Sequence, residues 1–496
     1  MVFCLLIFSL QNAAGQDIVY SQIEKADTKN LNFEILGKFS NNFLVYKNLN
    51  RKHKLTIYDY DMVVKETIKL DFITDKTSNI DFVTYPNYFI LVWQYQKGNT
   101  FYCNAAKMDA TGKLIGDVKE LDISKAGFFS STINYQFAWS ENKSKLLLTK
   151  TQKKNDELEL TTKILNENLQ LLDSSKNMLE HNNFRENIGD LQIDNEGTFV
   201  FYKTKENARQ EYINSITINF KKINIDTLFK VEIPLEKQLV QTPAIKIDNL
   251  NKRYLINSFS YKKNMGYIDG MLTAVINSSP FVFEKKVINI FDDSLVLKMS
   301  GSPDWRNAYS NFFLRNIILK KDGGFVTVAE EYYTQVRNNN FGNDRNSGLY
   351  NNTSDYYLYN RGNYGYYRPY SSDVSREIVY FYNDILTISF TSDLKLQWNN
   401  VINKKTTDVE TDNFLSFANM NAGSEIHFLF LQKDNNRQIL SNHALQANGN
   451  ITRLPTLKSR ESGYDFMPKL ARQTGAKQII IPCIVRNNIA FAKIDF

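Results

Sequence analysis

Glu330 and Glu331, followed directly by Tyr332 and Tyr333, are the best acidic cluster in this chain. Two carboxylates facing one bond are the equipment of glycoside hydrolysis, one serving as acid and the other as base or nucleophile. Neighbours on a strand point to opposite faces, so these two cannot work as a pair. Either could instead meet Asp384 across a sheet, or Asp304 beside Trp305, and make such a site. The competing reading, which the pattern favours, is a solvated sheet rim.

Other chemistries leave no trace. The chain has no nucleophile elbow, no His-Glu-x-x-His, no phosphate-binding glycine loop and no calcium loop with spaced acids. His53, His181, His427 and His443 are each isolated in sequence, without metal-ligand spacing, so neither a metal nor a cofactor is expected. Cys103 and Cys483 lie among apolar and aromatic residues in distant parts of the chain. Disulfide geometry demands a short Cα separation, so buried free thiols are expected.

A binding surface is the more visible possibility. Residues 335 to 372 hold eight Tyr (Tyr350, Tyr356, Tyr357, Tyr359, Tyr364, Tyr366, Tyr367 and Tyr370), nine Asn, four Gly and four Arg, Arg361 and Arg368 among them, and no Lys. Tyr offers a large amphipathic contact area on few rotors, Asn and Gly adapt, and Arg reaches carboxylates. A polar loop without a role has a similar composition. Loops of this length are uncommon inside a compact domain unless they act, which favours function. Trp305 is a candidate anchor nearby, whereas Trp93, Trp139 and Trp398 sit in strand patterns and read as core.

Polar turns between short apolar runs recur along the whole chain and must position these residues. They centre near Asn41, Asn87, Asn142, Glu196, Leu250, Gly323, Ala422 and Gly475, with gaps of 46, 55, 54, 54, 73, 99 and 53 residues. A second turn follows in several units, at Tyr60, Thr111, Glu167, Ser279 and Asn448. Two hairpins per repeat at this period describe a four-stranded propeller blade. Gly197 supplies the positive φ that a tight turn often needs, and the turn Lys321-Asp322-Gly323-Gly324 repeats the design. The expected fold is all-β: a single propeller of seven or eight four-stranded blades, with the insertion at 335–372 in the sixth repeat unit. Asp17–Tyr20 would pair with the strand Phe491–Phe496 and join the two ends of the chain in one blade.

The chain has 496 residues, 43% of them hydrophobic, with 34 Phe and 28 Tyr, as expected where sheets pack face to face. A net charge of +7 spread along the chain outlines no nucleic-acid groove. Residues 1–15 resemble a signal peptide whose basic start is missing, with an apolar run at Val2–Leu10 and a small-residue site at Ala13-Ala14-Gly15. The domain would then occupy 16–496 and be exported. No other segment has the ~20 apolar residues of a spanning helix. The strands are also too short, and their turns too irregular, for an outer-membrane barrel.

The run from Lys321 to Tyr333, the segment Tyr380-Phe381-Tyr382-Asn383-Asp384-Ile385-Leu386, and the close at Leu394-Lys395-Leu396-Gln397-Trp398 resemble an uncharacterised family of exported Bacteroidota proteins. The resemblance covers mainly 310–496 and implies an envelope location and a propeller-like fold, with no catalytic residues to carry over. In this chain Thr391-Ser392-Asp393 leads into Leu394 where a turn glycine is usual, which leaves the turn type open. The function expected is a non-catalytic binding or scaffold module of the cell envelope, periplasmic or associated with the outer membrane, with envelope proteins as partners. The alternative is an envelope hydrolase or lyase acting on glycans or peptides at a central channel.

Overall fold

The computed structural model describes residues 17–25, 31–125, 133–154, 157–181, 185–207, 210–261, 267–300, 311–338, 349–350, 376–409, 411–434, 437–457 and 463–496. Within them each of the first seven repeat units contributes four principal antiparallel strands in chain order. The units span 31–69, 77–125, 134–180, 186–233, 244–290, 312–402, 418–453 and 465–495, and the last takes Asp17–Tyr20 as its outer strand. The fourth and fifth units share one hydrogen-bonded sheet, bridged by Leu239–Val240. The fold is thus all-β and propeller-like.

Burial explains why the second strands read as unbroken apolar runs. Residues 43–47 within Asn42–Leu49, residues 89–93 within Tyr88–Lys97 and the whole of Gln478–Val485 are buried on both faces, whereas the outer strand Val64–Lys69 is largely exposed. A strand buried on both sides has no polar face to alternate with. Apolar clusters join each unit to the next: Tyr46 and Leu44 meet Phe82 and Phe89, Val92 meets Leu146, and Leu147 meets Phe199. Ile218 then meets Ile256, Phe259 meets Phe325, Val328 meets Phe428, and Leu429 meets Ile479. An eighth cluster packs Ile480 and Phe491 of the last unit on Phe33 and Phe43 of the first. Each fully buried side chain of this size contributes roughly 1.5–3 kcal/mol.

Five of the turns between third and fourth strands share one geometry. In Asp59–Met62, Asp109–Gly112, Asn166–Leu169, Thr391–Leu394 and Gln446–Gly449 the fourth residue's N–H donates to the first residue's carbonyl at 2.9–3.1 Å. That fourth residue has positive φ in every case, whether it is Gly112 (78°) and Gly449 (91°) or Met62 (60°), Leu169 (59°) and Leu394 (67°). So the turn type left open at Leu394 is the same as in the glycine-bearing units. A left-handed conformation costs a non-glycine residue roughly 1–2 kcal/mol. Burial offsets it, because Met62, Leu169 and Leu394 each fill the junction with the preceding unit. Where glycine stands, the preceding unit fills the space: a Cβ on Gly449 would lie 2.7 Å from the Trp398 ring, and one on Gly112 would collide with Ile68.

Two further elements position the site. A short helix, α1 (Asp293–Ser300), leads from the fifth unit toward the sixth. Asp292 caps it through Leu295 N–H at 2.7 Å, and Leu295 and Met299, four apart, pack inward. The second element is the sixth unit's central pair, Phe325–Asn338 and Arg376–Phe390, the longest strands of the fold at 14 and 15 residues. They remain paired as far as Asn338 and Arg376, beyond the end of the neighbouring strand Phe312–Leu319. Residues 335–338, read from sequence as the start of the insertion, are therefore strand. Leu349–Tyr350 pairs alongside Thr334 and Gln335, and Thr406–Val409 pairs along Val379–Tyr382. The extension is itself a narrow four-stranded ladder.

Candidate functional site at the sixth sheet

A β-bulge places the acidic residues. Glu330 faces Ile385 and Tyr332 faces Tyr382, so Glu331 lies opposite both Asn383 and Asp384. A bulge of this kind re-aims side chains next to it. Glu330 is fully buried, and its two oxygens are taken up: Oε1 accepts from Lys404 Nζ at 2.8 Å, and Oε2 accepts from Ser416 Oγ at 2.6 Å with Arg315 Nε at 3.5 Å. Lys404 is equally buried; its Nζ donates to the Tyr382 carbonyl and its backbone N–H to Asp384 Oδ1, both at 2.9 Å. The Tyr382 hydroxyl donates to Asp412 Oδ2 at 2.7 Å, and Lys469 donates to the same oxygen. Lys469 belongs to the 3-10 turn Pro468–Leu470 of the eighth unit. The sixth unit, the connection that follows it and the eighth unit are thereby tied by one buried polar network.

The electrostatics divide these groups into two kinds. Glu330 is saturated by cations and a hydroxyl, as a structural carboxylate should be. Glu331 and Asp384 have no such partners among the described residues and hold their protons more tightly than ordinary carboxyls. Burial raises Glu331 to about 7, with Asp384 adding to the rise and Asn383 opposing it. Burial likewise raises Asp384, opposed by its bond from Lys404 N–H. Burial lowers the Lys404 ammonium and Glu330 counters it, while the Tyr382 phenol is held well above its ordinary value by burial and by Asp412. Two interacting carboxyls, one holding a proton near neutrality, can exchange that proton with a bound group. Glu331 is the partly accessible one of the two.

Of the residues singled out from sequence, the structure brings Glu330, Glu331 and Asp384 together. Asp304, Trp305, Tyr356, Tyr357, Tyr359, Arg361, Tyr364, Tyr366, Tyr367, Arg368 and Tyr370 lie outside the described residues, and Tyr350 is placed by its backbone pairing alone. Lys404, Asp412, Ser416 and Lys469 carry no sequence signal, since each sits in a connection without periodicity. Cys103 and Cys483 are free and buried, as expected. Trp93 is core at 1% exposure, whereas Trp139 and Trp398 are half-buried. Among the described residues no group of three or more His, Cys, Asp or Glu could hold a metal ion, and no helix is long and apolar enough to cross a membrane.

A second titratable cluster lies on the innermost strands of the first, second and eighth units. Burial pushes Glu34 up to about 8, countered by Arg472 and reinforced by Asp81, and its Oε1 has no hydrogen-bond partner. Asp81 is itself raised to about 7 by burial. A carboxyl with a raised folded pKa stabilises fully below the unfolded value and loses that contribution as pH climbs through the folded one. The chain is therefore expected to lose stability between about pH 4.5 and pH 8 through Glu34. Glu34→Gln should flatten that slope, gaining about 2–4 kcal/mol at pH 8 and little at pH 4.5. Urea unfolding at several pH values measures it; parallel slopes for the two proteins would refute the assignment.

No known protein-family model matches the chain, and no curated protein matches it. Similar solved structures include the WD40 domain of SCAP from fission yeast, 8% identical over 97% of this chain and 98% of that one, with a TM-score of 0.40. Polysaccharide lyase Uly1 is 10% identical over 98% of this chain and 94% of its own, at a TM-score of 0.38. Prolyl oligopeptidase B from Galerina marginata is 8% identical at 0.40; this chain covers 56% of that protein's length. Identities and scores at this level assign no activity.

Proposed function

We propose that this chain is a non-catalytic binding or scaffold module of the bacterial cell envelope, built as a closed propeller of eight four-stranded blades. Protein contact is made by the rim and by the Tyr-rich insertion. The carrying observation is the paired extension of Phe325–Asn338 and Arg376–Phe390, which presents the insertion from a rigid ladder. Flanking pairs at Leu349–Tyr350 and Thr406–Val409 stiffen it, and Tyr333 stacks on Phe381 with centroids 4.5 Å apart. The base of the extension is anchored by the apolar cluster of Phe313, Tyr332, Tyr382 and Leu415, which makes it a firm support for what it carries. The blade number is supported by the eight apolar junctions, the last of which joins the final unit to the first. Export is supported by the signal-like residues 1–15 and by the family resemblance.

The test is affinity purification of the tagged protein from its native envelope, beside a variant in which residues 339–375 are replaced by an Asn-Gly turn. Asn338 and Arg376 are register partners, so a two-residue turn closes the ladder without strain. Specific partners are expected to co-purify with the intact protein and to vanish with the variant, whose melting temperature stays within about 3 °C. Retention of the same partners would remove the insertion from the interface.

An envelope hydrolase or lyase acting on glycans or peptides is the second reading. Glu331 and Asp384 favour it, as coupled carboxyls at a bulge with raised proton affinity.

A further inference from the structure

An open groove of about 440 Å³ runs between the outer strand of the sixth unit, Leu396–Ile402, and the outer strands of the seventh, Arg437–Gln446 and Ile451–Arg453. Its volume falls in the range of small-molecule sites. Its lining is largely polar, and apart from Asn400, whose Nδ2 donates to the Gly449 carbonyl, few of its polar side chains are committed. Arg453 is exposed and has no ion-pair partner among the described residues, and no carboxylate lines the groove. Gln432 accepts from Ser441 Oγ at 2.8 Å through its oxygen and leaves its amide N–H groups free. The side chains of Asn403 and Asn450 are exposed without partners. His443 lies at the floor, held flat on Phe430 with centroids 5.1 Å apart, and its buried Nδ1 has no hydrogen-bond partner. Burial, with Arg453 adding to it, lowers the His443 pKa, so the ring is neutral near pH 7.

Such a set has a definite chemical complement. A lone guanidinium with no second cation suits a singly charged carboxylate, which it can grip through two parallel hydrogen bonds. Carboxamides and a neutral imidazole each donate and accept, as a sugar hydroxyl does, so they match neighbouring hydroxyls better than they match an apolar chain. The groove is open to solvent, so a ligand can enter it directly. We propose that this groove binds an acidic oligosaccharide, with Arg453 on a sugar carboxylate and Gln432, Asn403, Asn450 and His443 on hydroxyls. The site is remote in chemistry from the Tyr-rich insertion and does not depend on it.

Calorimetric titration of the full chain with trigalacturonic acid tests this, with maltotriose as the neutral counterpart and tetraglutamate as an acidic peptide of similar length. Trigalacturonate is expected to bind, Arg453→Gln to weaken it at least about tenfold, and Asn403→Ala about threefold. Lys477→Gln, a substitution at an exposed cation in a distant turn, should leave the affinity unchanged. Melting curves establish that each variant is folded. The proposal is overturned if folded wild-type protein gives no heat with trigalacturonate, if Arg453→Gln binds as well as wild type, or if maltotriose or tetraglutamate binds as tightly.

Discussion

Lys404→Met is expected to cost about 3–5 kcal/mol of folding stability, because it leaves the fully buried Glu330 carboxylate without its nearest cation. Ser416 Oγ still donates to Glu330 and Arg315 stands 3.5 Å away, but neither replaces a fully buried ammonium at 2.8 Å. The same substitution removes the donor to the Tyr382 carbonyl. Adding Glu330→Gln should recover at least half of the loss, since the remaining group is then neutral. Urea unfolding of both variants decides the matter. A single-mutant loss below about 1 kcal/mol would mean that water reaches the pair and the network contributes little.

Deleting residues 17–24 should be more damaging still. These residues pair Asp17 through Tyr20 with Asp495 through Ala492, and Ser21 and Glu24 continue the contact onto Phe491 and Ile489. The Glu24 carboxylate also accepts from the Tyr58 hydroxyl at 2.5 Å and from Lys47, whose side chain is only 7% exposed. Truncation thus strands a buried ammonium and bares the edge of Asn488–Asp495, a template for pairing with another chain. A loss above about 5 kcal/mol and concentration-dependent aggregation are expected. Glu24→Gln, which keeps the strand, should lose about 1–3 kcal/mol and stay monodisperse. Light scattering and thermal melts separate the two; a truncated chain melting within about 2 °C of wild type would show that the terminal strand does not hold the ends together.

Architecture was largely legible, because turns declare themselves through residue type. Seven of the eight turn centres fall between the first and second strands of a unit and the eighth, Gly475, ends the strand Arg472–Gly475 at such a turn, while the five second turns fall between third and fourth strands. The corresponding turn of the fourth unit lacks that signal, because Ile223 and Ile225 flank Asn224, the residue that takes positive φ there. The helix Asp293–Ser300 was too short for its period to stand out. In the insertion, Gln335-Val336-Arg337-Asn338 looks like loop because no apolar face marks it; its pairing with residues 376–379 is a tertiary fact. The polar network was illegible for a different reason. Burial of Lys404, Asp412 and Lys469 depends on which connections cross above the sixth sheet, and adjacency in space leaves no imprint on neighbours in sequence.

The left-handed turns carry a consequence for how such repeats diverge. Each of those five junctions is filled once, either by the turn's own Met62, Leu169 or Leu394, or by a residue lent from the unit before, Ile68 to Gly112 and Trp398 to Gly449. Enlarging the glycine alone produces a collision, and shrinking its neighbour alone produces a void, so neither change is tolerated singly. Only exchanges made at both positions preserve the volume. Duplicated units under that restriction drift as neighbouring pairs instead of as copies, each unit becoming fitted to the one before it. Shuffling two of them would then fail by steric mismatch, although every unit keeps the same backbone.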